Sequence, residues 1–179
     1  MTRPPNLATD GLRDGPGGAG GGSPEQTVVG WREWVRMSAL GVPWIKAKVD
    51  TGAKTSSLHA FDLQDYVHEG RLWVRFHVHP WQATDADAVL VELPVHDRRP
   101  VRSSSGHVED RFVVRMRMTL ARRRITAEVT LTDRDEMGFR MLIGREALAQ
   151  GFLVDARRSY AGARPKRATR RRNWGRAEG

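Results

Sequence analysis

The sequence predicts an all-β domain, a small closed barrel or a sandwich, on three observations. Short runs alternate apolar and polar residues with the period of a half-buried strand. Turn residues separate those runs. Only one segment carries a helical pattern. In chain order, Val28 to Val35 reads as a first strand, with Trp31 and Trp34 available for packing. Trp44 to Val49 is a second and runs into Asp50. Leu72 to Val78 alternates as a half-buried strand does, and Ala88 to Val95 is a further candidate. Phe112 to Leu120 alternates strongly from Val114 onward, with Arg115, Arg117 and Thr119 between Val114, Met116, Met118 and Leu120. Ile125 to Leu131 repeats that pattern. The helix is Arg145 to Gln150, directly after Gly144, and no internal repeat is evident.

The chain of 179 residues is long enough for one domain with a sizeable core plus tails. Residues 1–24 are expected to form a disordered leader, because Gly15 to Pro24 is almost entirely Gly, Pro, Ser and Ala and cannot bury apolar surface. That leader lacks the apolar centre of a signal peptide. No stretch approaches a membrane span, so no membrane partner is expected. The chain has no cysteine, which excludes disulfides and thiolate metal sites and suits a cytoplasmic protein. The formal charge of +9 is uneven. Residues 1–24 are neutral overall. Residues 25–155 hold 19 basic against 18 acidic side chains, and 156–179 hold nine basic ones against Glu178 alone. The folded domain is therefore placed at 25–155 and a basic disordered tail at 156–179. The tail reads either as a solvated extension or as an electrostatic arm for RNA, ribosomes or an acidic protein.

Asp50-Thr51-Gly52-Ala53 is the most informative segment. It puts a carboxylate at a strand end, before a glycine that permits a tight turn, where a substrate could reach it. By itself such a segment also suits an ordinary turn, in which Asp accepts backbone N–H bonds. Further on, Met141-Leu142-Ile143-Gly144-Arg145-Glu146-Ala147-Leu148 is an apolar run, then Gly-Arg, then the helical pattern.

The order and separation of these two elements resemble the retropepsins, the viral-type aspartic peptidases. Ser56, Ser57 and Leu58 after the Asp loop, Arg102-Ser103-Ser104-Ser105-Gly106, then Glu109-Asp110-Arg111 and Leu142-Ile143-Gly144-Arg145, narrow the likeness. Together they resemble the bacterial retropepsin-like family long labelled "putative ATP-dependent zinc protease", over roughly Val28 to Asp155. Neither a nucleotide-binding nor a zinc-peptidase motif is found, and no cofactor is expected. The resemblance implies a retropepsin-like closed barrel, one lobe per chain, with one short C-terminal helix. Family members are associated with ATP-grasp ligases that add glutamate tails to a ribosomal protein, and some are implied to remove such tails. An acidic peptide or protein is thus the implied substrate.

By the same resemblance, Asp50, Thr51 and Gly52 form the catalytic loop, with Thr51 bonding across a dimer axis and Gly52 letting substrate backbone approach. Ile143, Gly144 and Arg145 would support the loop from behind. Only one Asp-Thr-Gly occurs in the chain, and an aspartic mechanism needs two carboxylates sharing a proton. A two-fold homodimer is the simplest completion. Viral retropepsins carry an acid after Asp-Thr-Gly-Ala that pairs with the Arg of Gly-Arg. Here that position is Lys54, which leaves Glu146, Asp133 or Glu109 for Arg145.

By composition Arg98 to Arg111 reads as an ordinary polar hairpin loop; the resemblance implies a flap hairpin there, its tip at Ser103-Ser104-Ser105-Gly106 bonding an extended substrate. Around it Arg98, Arg99, Arg102 and Arg111, with Ala53 and Lys54 beside the Asp loop, are candidates for binding substrate and its glutamate carboxylates. His77-Val78-His79 places two imidazoles on one strand face at a spacing that can bind zinc, yet no third ligand is identifiable, so no metal is expected. Ser103 to Ser105 lack a nucleophile-elbow pattern. The competing class is a catalytically silent retropepsin-fold domain that binds RNA or ribosomes through 156–179.

Overall fold

The computed structural model describes residues 25–102, 106–133 and 138–173. The predicted leader 1–24 lies outside them. Strands dominate: β1 (Thr27–Gly30), β2 (Arg32–Met37), β3 (Val42–Asp50), β4 (Ser56–His59), β5 (Phe61–His68), β6 (Arg71–Val78), β7 (Val89–Arg102), β8 (Val108–Leu120), β9 (Arg123–Thr132), β10 (Met141–Gly144) and β11 (Phe152–Asp155). Two short helices, α1 (Arg145–Leu148) and α2 (Arg167–Arg172), and a 3-10 turn at Ser38–Leu40 are the helical elements among the described residues.

Six strands close into a barrel. Neighbours run β2, β3, β10, β4, β9, β8, and β8 pairs back onto β2 through Val35 opposite Leu120 and Arg36 opposite Thr119. Closure leaves the ring without a free edge. β7, β6 and β5 continue outward from β8 as an antiparallel arm. The interior follows from the alternation. On β8, Val114, Met116, Met118 and Leu120 are buried while Arg115 and Arg117 are exposed. They meet Val35, Ile45, Leu58, Leu131, Met141 and Ile143 in one continuous core.

The expected first strand is two strands in two sheets. β1 pairs in parallel with β11, whereas β2 enters the barrel. The break falls at Gly30, where a Cβ would stand 2.3 Å from the Arg158 carbonyl oxygen. Trp31 N–H donates to that same oxygen at 3.0 Å. The carboxylate of Glu33, fully buried, accepts from Gly30 N–H at 2.7 Å, Ala161 N–H at 2.8 Å and Gly162 N–H at 3.1 Å. Three backbone donors satisfy a charge that burial would otherwise penalise.

Those contacts correct the expectation of a disordered tail. Tyr160 stacks on Trp34 at 6.1 Å, Asn173 is buried, and its side-chain and backbone carbonyl oxygens accept from Gln82 and Ala83 N–H. Residues 156–173 therefore pack back on the domain and supply a second helix where one was expected. The alternation rule misses this segment because it docks by backbone bonds and single aromatics instead of a periodic apolar face.

Candidate active site

Asp50 ends β3, and its carboxylate turns back on its own loop. Oδ1 accepts from Gly52 N–H at 3.0 Å and Ala53 N–H at 3.2 Å. These two donors fix the carboxylate plane. Oδ2 has no protein partner among the described residues. Asp50 is half-buried while Thr51 and Gly52 are exposed, so the acid is reachable from solvent.

β10 holds this loop in place. It runs parallel to β3, with Ile143 beside Val49 and Gly144 beside Asp50. On its other side it pairs antiparallel with β4. A Cβ at Gly144 would lie 2.5 Å from the Thr55 carbonyl, so only glycine allows this approach. Gly144 N–H donates to Ser56 Oγ at 3.1 Å, and Thr130 Oγ1 donates to the Ser56 carbonyl at 3.2 Å. α1 then presents Arg145 N–H to the Ala53 carbonyl at 2.9 Å and Glu146 N–H to that of Lys54 at 3.1 Å. The Arg145 guanidinium reaches the Gly52 carbonyl at 3.5 Å. The Gly-Arg element thus grips three successive carbonyls of the Asp loop.

The partners expected for Arg145 are corrected accordingly. Glu146 pairs with Lys54 at 3.7 Å, and Glu109 with Arg111 at 3.0 Å. Arg145 turns to the loop backbone instead.

The expected hairpin is present: β7 and β8 pair antiparallel through Arg98 opposite Phe112 and Arg102 opposite Val108. Gly106 in its connection has a φ of +84°, a conformation that favours glycine. Ser103, Ser104 and Ser105 lie outside the described residues.

Most of the hairpin arginines are already engaged. Arg111 is buried, its Nε donating to Glu109 Oε2 at 3.0 Å, which removes it as a substrate clamp. Arg99 bridges Asp97 and Glu128, the latter at 2.8 Å, and Arg98 lies 4.7 Å over the Phe112 ring. Arg102 is exposed and, among the described residues, has no ion-pair partner. The signal for two of these pairs was in the sequence. Asp97 and Arg99, like Glu109 and Arg111, are two residues apart, and such residues share a strand face.

Burial and bonding set the charged states along this arm. The Arg99 guanidinium holds the Glu128 carboxyl below its ordinary value, and it does the same to Asp97 with help from the Arg98 N–H. His77 and His79 both stack on Phe61, at 5.3 and 4.1 Å. Among the described residues no group of three His, Asp or Glu side chains is placed to hold a metal ion. No described helix is long and apolar enough to cross a membrane.

Comparison with known proteins agrees with this geometry. Residues 28–165 match a family model described as RimB-like, the retropepsin-like aspartic endopeptidase RimB. A protein of Desulfotalea psychrophila named a probable alpha-L-glutamate ligase is 44% identical over 128 residues, 72% of this chain but 28% of that protein. One of Shewanella halifaxensis with the same name is 44% identical over 138 residues, 77% of this chain and 30% of its own length. The chain therefore spans less than a third of these curated relatives. A crystal structure of a Legionella pneumophila protein of unknown function superposes with a TM-score of 0.66 at 25% identity, covering 75% of this chain and 97% of that one.

Proposed function

The chain belongs to the RimB-like family of retropepsin-like aspartic endopeptidases, and from that premise we propose that it hydrolyses peptide bonds in glutamate-rich protein tails through a dyad of Asp50 carboxylates. The observation that carries this reading is the Asp loop itself. One oxygen of Asp50 is fixed by Gly52 and Ala53 N–H, and the other is left for a water or a second acid. Two carboxylates brought together cannot both ionise readily, so they hold one proton between them. The ionised member takes a proton from water as its oxygen attacks the scissile carbonyl. The protonated member gives its proton to that carbonyl oxygen; as the intermediate collapses, the proton drawn from water passes to the leaving amine and the new carboxyl returns one proton to the dyad, so no covalent enzyme intermediate is needed. The chain's single Asp-Thr-Gly motif makes a two-fold homodimer the source of the second acid. Thr51, exposed beside Asp50, is the residue for bracing the two loops across that axis.

The substrate class is supported by the relatives. A segment 44% identical to this chain forms part of proteins named glutamate ligases. A hydrolase related to that segment acts on the same polymer if it removes what such a ligase adds. Arg102 on the hairpin is an exposed cation open to such a tail, and Lys54 beside the Asp loop could join it by exchanging its exposed pairing with Glu146.

The test is cleavage of a peptide ending in several glutamates against a neutral peptide of equal length, with products identified by mass spectrometry. The acidic peptide is expected to be cut preferentially. Asp50→Asn is expected to abolish cleavage without unfolding the protein, and chelators should leave wild-type activity intact. An active Asp50→Asn protein would end the aspartic mechanism; equal cleavage of both peptides would end the glutamate reading alone.

A further inference from the structure

A second charged feature lies on the outer wall of the barrel. β2, β8 and β9 are neighbours there, and their registers set Arg36 opposite Thr119 and Thr119 opposite Arg124, with Arg117 opposite Thr126 two residues along. Facing residues, and residues two apart, share a sheet face. Arg36, Arg117 and Arg124 therefore project together, while Met116, Met118 and Ile125 between them are buried. An open groove of about 500 Å3 runs among them, and Ser38, Thr119 and Thr126 add hydroxyls to its walls. None of its lining residues is acidic.

Arg99, Arg140 and Arg157 each meet a carboxylate. Arg36, Arg117 and Arg124, like Arg98, Arg102 and Arg145, lack a carboxylate partner among the described residues, but the first three are grouped in one groove. They sit on adjacent strands, within roughly one screening length of about 10 Å, so their mutual repulsion is not removed by salt alone. A bound polyanion would relieve it. Trp44, half-buried, lies beside the groove with its ring 5.2 Å from the Arg36 guanidinium. Trp44 and Asp50 are six residues apart on β3, which puts the groove on the order of 20 Å from the catalytic acid at about 3.3 Å per residue. The groove is therefore outside the peptidase site and can be occupied while that site works.

We infer that this groove binds the phosphate backbone of single-stranded RNA. Guanidinium groups grip phosphate oxygens in a two-pronged fashion. Hydroxyls donate to phosphate and ribose oxygens, and an aromatic beside a cationic track suits stacking with a base. A carboxylate tail would use the guanidiniums but would leave the neighbouring Trp44 idle.

The experiment is fluorescence anisotropy of a labelled uridine oligomer of about twelve nucleotides with the full chain. Arg36→Gln/Arg117→Gln/Arg124→Gln is expected to weaken binding at least tenfold. It should also lower the slope of log affinity against log salt by about 2, for three phosphate contacts on a single strand. Acidic-peptide cleavage should be unchanged. A control, Arg170→Gln/Arg171→Gln/Arg172→Gln, removes equal charge elsewhere and should weaken binding less than about threefold. If the triple groove variant does not fold, Arg117→Gln alone should lower the slope by about 0.7. Equal losses in the groove and control variants would reduce the effect to net charge and overturn the proposal. So would a poly-glutamate peptide of the same charge that binds the groove as tightly as the RNA does.

Discussion

Asp50 depends on contacts that can be removed one at a time. Gly144 is the most constrained, since a methyl group there meets the Thr55 carbonyl at 2.5 Å. Gly144→Ala must push the Asp loop away from β10. Overpacking of this kind costs about 1–3 kcal/mol, and because the displaced segment carries Asp50, activity should fall at least tenfold. Ser56→Ala acts differently. It leaves Gly144 N–H buried without its acceptor, a loss of roughly 1–3 kcal/mol, but leaves the loop's path open, so stability should suffer more than turnover. Thermal unfolding together with kcat/KM on the acidic peptide separates the two cases. A Gly144→Ala protein with wild-type values for both would show that the close approach is not constraining. In the sequence Asp50 reads as an acid at a strand end and Gly144-Arg145 follows an apolar run, but it is the resemblance to retropepsins that joins the two. Glu33 was not legible, because its donors Ala161 and Gly162 lie 128 and 129 residues away and carry no side-chain signal.

Between elements, the Arg99–Glu128 pair ties β7 to β9, and His96 joins it at 2.9 Å from the same carboxylate. The folded state holds the Glu128 carboxyl below its ordinary value of 4.5, chiefly through the Arg99 bond. Its contribution is therefore whole above that value and is lost as pH falls through the lower folded-state value. Both side chains are partly exposed, so the contribution is small and weakened by salt. Glu128→Gln should lower the melting temperature by a few degrees at neutral pH, and the gap should narrow and close as the solution is acidified below 4.5. A gap that stayed constant from neutral to acid would mean the ion pair adds nothing. β8 and β9 were readable because both alternate, β8 from Val114 onward and β9 up to Val129. β4 was not, since all four of its residues are buried and no alternation remains. β5 is an edge strand with mostly polar, exposed residues, and β11 has only four residues, so neither carries enough periodic signal. The first strand was misjudged as one run because Gly30 and Trp31 continue the apolar pattern while the backbone changes sheets.

At the scale of the whole molecule, the C-terminal segment completes something that the barrel alone leaves open, and on the proposed mechanism a second copy of the chain would do so too. Removing residues 159–179 takes away two of the three N–H donors of the buried Glu33. Such a truncation should cost at least about 1–3 kcal/mol and lower the melting temperature; a truncated chain as stable as the full one would show that the docked segment contributes nothing. The proposed aspartic mechanism requires a second acid, and a second copy of the chain would supply it. One chain offers one Asp-Thr-Gly motif, and a lone carboxylate cannot both accept a proton from water and donate one to the carbonyl. If Asp50 meets its counterpart across a two-fold axis, specific activity should rise with protein concentration until the dimer is fully populated. Asp50→Asn chains should then act as poison. In a mixture with tenfold excess of the variant, nearly every wild-type chain pairs with a dead partner, and activity per wild-type chain should drop about tenfold once subunits have exchanged. A monomer by sedimentation that keeps full activity in the mixture would place the second acid in the same subunit. Asp133, close in sequence to the end of β9 and without a bond among the described residues, would be the first replaced in that case.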